Sequence, residues 1–300
     1  MKGYIYFFLL GAMSLHAKTP NWFSERLHDN WGQKMEVNER LFTKKSPFQR
    51  IQVMDTPRFG KVLVLDGIVQ TNEGDEFIYH EMLTHVPILA HGNAKRVLII
   101  GGGDGGMLRE VLRHDSVEKA VMVEIDGMVI EICKKLMPNL SQGAFDDPRA
   151  EVIVGDGLDY VKKTKETFDV IICDSTDPTG PGIVLFTKEF YSDCQKILTP
   201  NGILVTQNGV PFAQGKEITE THQNRAPYFK DNSFYLAAIP SYIGGFMAFG
   251  WASNNPNARQ VSEETLKERY SKLKGKTRYY SPAMHKASFV LPPYVEELIK

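Results

Sequence analysis

The chain of 300 residues has little cysteine and almost no net charge. Its three cysteines, Cys133, Cys173 and Cys194, are odd in number and lack metal-ligand spacing, so they indicate neither a disulfide framework nor a zinc site. They lie in apolar segments, and we expect them to be reduced and buried. A formal net charge of −1 gives no general attraction to nucleic acid or to an anionic membrane surface, so any charged partner must be recognised locally.

Long apolar runs are also scarce, and the one at the N-terminus has two explanations. Residues 1–17, MKGYIYFFLLGAMSLHA, contain a lysine and an apolar stretch and end in a small residue, which is typical of a signal peptide. The stretch is too short to span a bilayer as a helix. The alternative is that translation starts at Met13 and residues 1–12 are never made. Residues 1–17 are treated as an N-terminal extension in both cases.

The histidines do not form a recognisable metal motif. The segment HEMLTH places His80 and His85 five residues apart. On a helix that spacing separates two side chains by about 140°, whereas the zinc motif H-E-x-x-H has its histidines four apart on one face. We therefore predict no metal site here.

The apolar pattern divides the chain into two parts. From Lys34 to Asn72, short alternating segments are separated by turn sequences such as DTPRFG and DG, which predicts a small antiparallel β domain. The next segment, DEFIYHEMLTHVPILAHG, has helical spacing, and Asp75 and Glu76 favour its start. We place the β domain at residues 18–74 and a second domain at residues 75–300.

The second domain alternates apolar strands with helices from Lys95 onward. The strands RVLII, KAVMVEI, AEVIVGD, FDVIICD and GILVTQN are apolar on both faces, which predicts an α/β fold with a parallel sheet covered on both sides. The segments SFYLAAIPSYIGG and FMAFGWASN are typical of closing antiparallel strands. In such sheets, ligands bind beyond the carboxyl ends of the strands.

Acidic residues follow each of the first four strands of this domain. One lies within the glycines of GGGDGG, two follow the second strand, one lies in GDG and two lie in DSTDPTGP: Asp104, Glu124, Asp126, Asp156, Asp174 and Asp177. A single aspartate at such a place is most often a turn or helix-cap residue. Acidic residues at four successive strand ends indicate a shared function.

The glycine loop at residues 101–106 fits two kinds of ligand. It matches G-x-G-x-x-G, and Glu124 lies about twenty residues further on, which is typical of dinucleotide binding. Asp104 argues against a dinucleotide, because its carboxylate would repel a pyrophosphate a few Å away. An adenosyl ligand without phosphate fits better, since Glu124 can accept hydrogen bonds from the ribose hydroxyls and Asp156 from the adenine amine.

The same acids bear on the rest of that ligand. An amino-acid tail carries a carboxylate, which Asp104 and Asp174 would repel. A nucleoside sulfonium that has lost this carboxylate is doubly positive, and the two aspartates would attract it. The pattern therefore favours a dicationic donor.

The motifs GGGDGGMLREV, VEID, GDG, DSTDPTGP and DEFIYHEM together resemble those of the polyamine aminopropyltransferases, the family of the bacterial spermidine synthases. The resemblance runs from about Trp22 to the C-terminus. It implies a small N-terminal antiparallel β domain on a seven-stranded, Rossmann-like sheet of the class I methyltransferase type, assembled as a homodimer or homotetramer. It also implies transfer of the aminopropyl group of decarboxylated S-adenosylmethionine to putrescine, which yields spermidine and 5′-methylthioadenosine. Such an enzyme is cytoplasmic, acts on small molecules and uses no metal or redox cofactor.

The resemblance also implies a role for particular residues. Asp174 would be the catalytic proton acceptor. The donor would be bound by Gln49, Asp104, Glu124, Asp156, Gly157 and Pro181. The polyamine would be bound by Tyr79, His80, Asp104, Asp174, Ser175, Thr176, Asp177 and Tyr242. Relatives begin near the residue aligned with Lys18, which favours Met13 as the true start.

Two other functions stay open at this point. One is a methyltransferase that uses intact S-adenosylmethionine, and the other is a catalytically inactive protein that binds a polyamine or a nucleoside. The acceptor also stays open among putrescine, cadaverine, agmatine and spermidine. We expect loop residues around Pro211–Gln214 to decide it. The sequence does not separate a dimer from a tetramer.

Overall fold

A computed structural model describes residues 21–178 and 180–300 of the chain. The interpretations of residues 1–17 and of the Pro181 side chain concern parts outside this description. Within it, strands form a two-stranded, a four-stranded and a seven-stranded sheet.

The two small sheets make up the N-terminal region, and both are antiparallel, as predicted. The first is a hairpin of β1 (Asn21–His28) and β2 (Trp31–Val37). The second contains β3 (Glu39–Lys45), β4 (Arg50–Thr56), β5 (Gly60–Leu65) and β6 (Ile68–Asn72). The alternating segments were expected only from Lys34, so β1 was missed. Its buried face is formed by Phe23 and Glu25, and a charged residue on the inner face hides the period of two.

The remaining chain forms the large sheet and its helices. In chain order the elements are α1 (Glu76–His91), β7 (Arg96–Gly101), α2 (Gly106–Leu112), β8 (Lys119–Glu124), α3 (Gly127–Leu136), α4 (Pro138–Ser141), β9 (Ala150–Val154), α5 (Gly157–Lys163), β10 (Phe168–Asp174), α6 (Lys188–Ile197), β11 (Leu198–Gln207), α7 (Pro211–Arg225), β12 (Asp231–Ala238), β13 (Phe246–Ser253), α8 (Glu263–Tyr270), α9 (Pro282–Ser288) and α10 (Pro293–Leu298). Short 3-10 helices span Ala144–Asp146, Gly180–Phe186 and Ala258–Gln260.

The seven strands of the large sheet run in the order β12-β13-β11-β10-β7-β8-β9. The five strands from β11 to β9 are parallel; β13 pairs antiparallel with β11, and β12 at the edge pairs antiparallel with β13. Central strand residues such as Val97, Leu98 and Ile171 are completely buried, since helices cover both faces of the sheet. The predicted α/β fold is confirmed.

The register of the sheet brings the predicted acidic residues to one edge. Asp174 at the end of β10 is paired with Gly101 at the end of β7, and Glu124 at the end of β8 is paired with Val154 at the end of β9. All four strand ends therefore open on the same side of the sheet, where ligands of such folds bind.

Two local expectations need correction. The helix after the glycine loop begins at Gly106, rather than near Leu108. Residues Pro211–Gln214 begin α7 rather than forming a loop, because Pro211 at the first helical position starts the helix; the helix is kinked at Gln214, where φ is −121° and ψ is 34°. The three cysteines are free and buried, as expected. Among the described helices, none has the length and apolarity to cross a bilayer.

Candidate active site

A cavity of about 530 Å³ lies beyond the carboxyl ends of β7, β8, β9 and β10, between the large sheet and the N-terminal strands. Of the predicted site residues, all whose side chains are described line it: Gln49, Tyr79, His80, Asp104, Glu124, Asp156, Gly157, Asp174, Ser175, Thr176, Asp177 and Tyr242. The structure thus brings together residues that are up to 193 positions apart, from Gln49 to Tyr242.

Asp174 is fixed by the glycine loop and by α1. Gly101 has φ +85°, and a Cβ there would lie 2.0 Å from the carbonyl oxygen of Asp174, so only glycine allows the two strand ends to approach. The Oδ1 atom of Asp174 accepts a hydrogen bond of 2.6 Å from the hydroxyl of Tyr79. The tyrosine is buried in α1 and orients the carboxylate.

The surroundings of Asp174 make it a better base. Burial and the negative charge of Asp104 raise its pKa to about 6, while the charge of His80 and the hydrogen bond from Tyr79 act in the opposite direction. A carboxylate with a pKa near the working pH accepts a proton far more readily than an exposed aspartate does.

Glu124 is held by backbone donors on both of its oxygens. Oε1 accepts from the amide of Asp126 at 2.8 Å, and Oε2 accepts from the amide of Gly103 at 3.2 Å. Burial, together with the charges of Asp126 and Asp174, outweighs these hydrogen bonds and raises its pKa to about 7. The carboxylate is therefore fixed in orientation, with lone pairs left for a polar ligand.

Asp126 has a structural role and does not line the cavity, in contrast to the other acidic residues predicted at the strand ends. It caps α3 by accepting from the amide of Met128. Its Oδ2 accepts from Ser46 Oγ at 2.6 Å and from Gln49 Nε2 at 3.0 Å. This contact joins the loop between β3 and β4 to the large sheet and places Gln49 at the cavity wall.

Asp156 begins α5 and faces the cavity. Its Oδ1 accepts from the amide of Leu158 at 2.8 Å, as a helix cap does. The residue is exposed, and Gly157 beside it packs against Ile100. The carboxylate of Asp156 therefore caps α5 and at the same time lines the cavity.

Asp104 lies between a backbone amide and an imidazole. Oδ1 accepts from the amide of Gly106 at 2.6 Å, and Oδ2 lies 3.5 Å from Nε2 of His80. The His80 Nδ1 lies 2.5 Å from Oε2 of Glu76, which in turn binds the guanidinium of Arg109. Of the residues expected to face the polyamine, His80 is the most deeply buried, with 1 % of its surface exposed.

Polar groups also line the part of the cavity around Asp177, Gln207 and Tyr242. Gln207 donates to Oδ1 of Asp177 at 2.8 Å. The Tyr242 ring stands edge-on to Tyr79 with centroids 6.1 Å apart, and its hydroxyl donates to the carbonyl of Gln70. Ser175 Oγ is buried and has no partner among the described residues. The two rings, whose planes are 86° apart, form an apolar corner of the cavity flanked by carboxylates.

The sequence analysis missed several residues of this wall. Five of them line the cavity and come from the β1–β2 hairpin and the end of β11: Glu25, Arg26, Leu27, His28 and Gln207. Two more missed residues, Glu76 in α1 and Arg109 in α2, lie behind the wall, where Glu76 contacts both His80 and Arg109. Of these, only Glu76 carried a sequence signal, since it lies four residues before His80 on a helix, where two side chains meet. Within residues 21–178 and 180–300, no group of three or more His, Cys, Asp or Glu side chains has an arrangement that could hold a metal ion.

Comparison with known families identifies the family of this chain. Residues 76–263 match the model of the spermine/spermidine synthase domain, and residues 21–73 match that of the spermidine synthase tetramerisation domain. The chain belongs to the spermine/spermidine synthase family. The resemblance found in its motifs is confirmed, and aminopropyl transfer is the activity class of the family to which this chain belongs.

Relatives of this family match nearly the whole chain. A polyamine aminopropyltransferase of Ruegeria sp. (strain TM1040) is 55% identical over 277 residues, which cover 92% of this chain and 98% of the relative. A polyamine aminopropyltransferase of Klebsiella pneumoniae (strain 342) is 52% identical over 283 residues, or 94% of this chain and 99% of the relative.

Solved structures of the family share the fold. A spermidine synthase in complex with the transition state analogue AdoDATO superposes with a TM-score of 0.88 at 41% identity, covering 94% of this chain and 96% of that one. The spermidine synthase of Thermotoga maritima superposes with a TM-score of 0.85 at 39% identity, covering 94% and 95%. The seven-stranded, Rossmann-like sheet with its N-terminal antiparallel strands is therefore the fold of the family.

Proposed function

We propose that this chain is a spermidine synthase, which transfers the aminopropyl group of decarboxylated S-adenosylmethionine to putrescine, with Asp174 as the general base. The observation that carries the proposal is the position of Asp174. It lies at the cavity wall within 2.6 Å of Tyr79, with a pKa raised to about 6. Membership of the family and the structure with AdoDATO support the choice of donor.

The charges of the cavity suit a dicationic donor. Glu124, fixed by two amides, would accept hydrogen bonds from the ribose hydroxyls, and Asp156 would accept one from the adenine amine. Gln49 and Gly157, which line the same wall, would border the nucleoside. Asp104 would bind the ammonium of the aminopropyl group, a contact that a tail carboxylate would oppose.

The reaction is a displacement at carbon. The attacking amine of putrescine gives its proton to Asp174, its lone pair forms the new C–N bond, and the C–S electrons return to sulfur. The sulfonium thereby becomes the neutral thioether of 5′-methylthioadenosine. An alkyl ammonium with a pKa near that of lysine, about 10.4, costs roughly 4 to 5 kcal/mol to deprotonate at pH 7, so a positioned base contributes directly to the rate.

The rest of the cavity would select and orient the acceptor. Asp177, held by Gln207, would bind the far ammonium, while Ser175 and Thr176 border the chain. The rings of Tyr79 and Tyr242 would cover the methylene groups. This arrangement uses the donor as a co-substrate and requires no metal or redox group.

Product formation tests the proposal. Purified protein is incubated with labelled decarboxylated S-adenosylmethionine alone or with putrescine, cadaverine, agmatine or spermidine. We expect 5′-methylthioadenosine to form only when an acceptor is added, and fastest with putrescine. Methyl transfer from intact S-adenosylmethionine, or a faster reaction with another acceptor, would contradict the assignment.

The base is tested by Asp174→Asn. A carboxamide cannot accept the proton, so we expect turnover to fall by about 100-fold or more, while binding of 5′-methylthioadenosine stays within about twofold. Single-turnover kinetics and calorimetry measure the two quantities. Normal turnover in this variant would exclude Asp174 as the base.

A further inference from the structure

Behind Asp104 lies a chain of four alternating charges that leads away from the cavity. Arg109 binds Glu76 through both guanidinium nitrogens, with Nη2 at 2.9 Å from Oε2 and Nη1 at 3.2 Å from Oε1. Oε2 of Glu76 also lies 2.5 Å from Nδ1 of His80, whose Nε2 lies 3.5 Å from Asp104. We call Arg109, Glu76, His80 and Asp104 the charge chain. All four side chains are at most 11% exposed.

The position of His80 in this chain is fixed by packing. A Cβ on Gly106 would lie 2.3 Å from Cε1 of His80, so the imidazole occupies the space that a side chain at the start of α2 would need. Arg109, one turn further along α2, also donates to the carbonyl of Leu140 at 2.6 Å and to Oε1 of Glu110. Helices α1 and α2 therefore clamp the imidazole between two carboxylates.

We propose that Glu76, anchored by Arg109, is a positioning residue that keeps His80 protonated, and that the positive charge of His80 keeps the carboxylate of Asp174 ionised inside the cavity. This inference rests on the proposed role of Asp174 as the base. It assigns a function to two residues that lie behind the cavity wall.

The charges around the imidazole support the proposal. Glu76 faces it from α1 and Asp104 from the glycine loop, while Asp174 acts on it from β10 and Tyr79 lies edge-on beside it. Burial alone would disfavour a charged imidazole, but Asp104 and Glu76 outweigh it and raise the pKa of His80 to about 10. Burial likewise opposes ionisation of Glu76, but the contacts with His80 and Arg109 prevail and lower its pKa.

The charge of His80 affects the pKa of the proposed base, Asp174. Asp104 raises the pKa of Asp174, and the imidazolium lowers it. With a neutral His80, Asp174 would hold its proton to a higher pH and fewer molecules would have an active base. The charge chain would therefore set the acid limit of the reaction.

The test compares Glu76→Gln with the parent protein in kcat/KM for the donor between pH 5 and pH 9. Glutamine still accepts from Arg109, but it removes the charge that keeps His80 protonated. We expect the acid limb of the profile to move upward by about one pH unit, which is a roughly tenfold loss of rate on its acid side. Binding of 5′-methylthioadenosine, which has no amine, stays within about twofold.

Two further variants show whether the effect passes through His80. His80→Gln is expected to produce the same shift, and the double variant no more than His80→Gln alone. Glu110→Gln is the matched control, because Glu110 is buried and binds Arg109 without touching His80. It is expected to lower Tm and leave the acid limb in place. In NMR spectra with labelled histidine, the ring signal that His80→Gln removes should be that of an imidazolium from pH 6 to 9 in the parent and that of a neutral imidazole over the same range in Glu76→Gln.

The outcomes separate this proposal from the assignment of the base. If Asp174→Asn loses turnover but Glu76→Gln leaves the acid limb unmoved, the charge chain does not control the base. Equal shifts in Glu76→Gln and Glu110→Gln would also overturn the proposal, since they would show a general loss of structure. If Asp174→Asn keeps its turnover, the proposed function itself fails.

Discussion

Asp104 and Asp174 line one cavity, and each is held by a donor that leaves part of the carboxylate free. Asp104 accepts from the amide of Gly106, and Asp174 accepts from Tyr79. At the scale of single residues, the site places the imidazole of His80 beside buried carboxylates, and their charges raise its pKa to about 10. On the proposed function, that balance would let the cavity attract a dication without neutralising its base.

Asp104→Asn is expected to separate donor recognition from nucleoside recognition. A hydrogen bond between an ammonium and a carboxylate contributes about 1.5 to 3 kcal/mol, so the affinity for decarboxylated S-adenosylmethionine should fall by roughly 10- to 100-fold. The affinity for 5′-methylthioadenosine should hardly change. Calorimetric titration with both ligands measures the two values.

Asp156→Asn is the control for that experiment. Asparagine also caps a helix, so α5 should persist. The adenine contact is common to both ligands, and both affinities should fall together. If Asp104→Asn weakened both ligands equally, Asp104 would not be the partner of the ammonium.

The site residues that could be predicted from the sequence are those at the end of a strand or helix that the apolar pattern identifies. Asp174 and Glu124 could be placed because each ends an apolar strand, and the end of a parallel strand predicts which edge its side chain joins. Arg109 could not be placed, because its partner Glu76 is 33 residues away and the contact depends on how two helices pack. Asp126 matched the acidic pattern for a different reason, since a helix cap uses the same residue type as a ligand-binding position.

At the scale of elements, α1 connects the cavity to the C-terminal segment. Tyr79 and His80 face the cavity, whereas Glu81 on another side of the helix accepts from the amides of Arg278, Tyr279 and Tyr280, each at 2.8 Å. Glu81 is 2% exposed. One buried carboxylate thus satisfies three consecutive backbone donors.

Glu81→Ala is expected to destabilise the whole chain. Three buried amides would lose their acceptor, and hydrogen bonds to a charged group contribute about 1.5 to 3 kcal/mol each, with incomplete additivity. We expect a loss of about 3 kcal/mol or more in the free energy of unfolding, measured by urea denaturation. Glu268→Ala on exposed α8 should cost less than about 0.5 kcal/mol. Similar values for both variants would show that Glu81 does not anchor the C-terminal segment.

The apolar pattern of each element explains which helices and strands could be predicted from the sequence. Strands β7, β8, β10 and β11 are apolar on both faces, so their period cannot be confused with that of a half-exposed strand. The first turn of α7 was read as a loop, because Pro211 and Gly215 interrupt its apolar pattern. A local side-chain hydrogen bond, from the amide of Val210 to Oε1 of Gln214 four residues later, completes that turn.

At the scale of the whole molecule, the N-terminal strands expose a large apolar side chain to solvent. Trp22 in β1 is 51% exposed, and residues 21–73 match a tetramerisation domain. Aromatic residues of this kind are enriched at the centres of protein interfaces. We expect the chain to form a homodimer or homotetramer in which Trp22 is covered.

Trp22→Glu tests this expectation. Light scattering should give a native mass that is a multiple of the monomer for the parent, and the variant should shift toward the monomer, because a buried charge without a partner opposes association. The matched control is Val290→Glu, an exposed apolar residue at 74% that lies outside the matched region. An unchanged mass in Trp22→Glu would place the interface elsewhere.

The carboxylate of Asp126 starts α3 and at the same time receives Ser46 and Gln49 from the other domain. The N-terminal strands and the large sheet border the cavity from two sides and are joined at this carboxylate. On the proposed function, a nucleoside bound in the cavity should strengthen the contact between these two parts, and a chain whose two parts have not docked should not bind the nucleoside. Ligand binding would then depend on complete assembly of the chain.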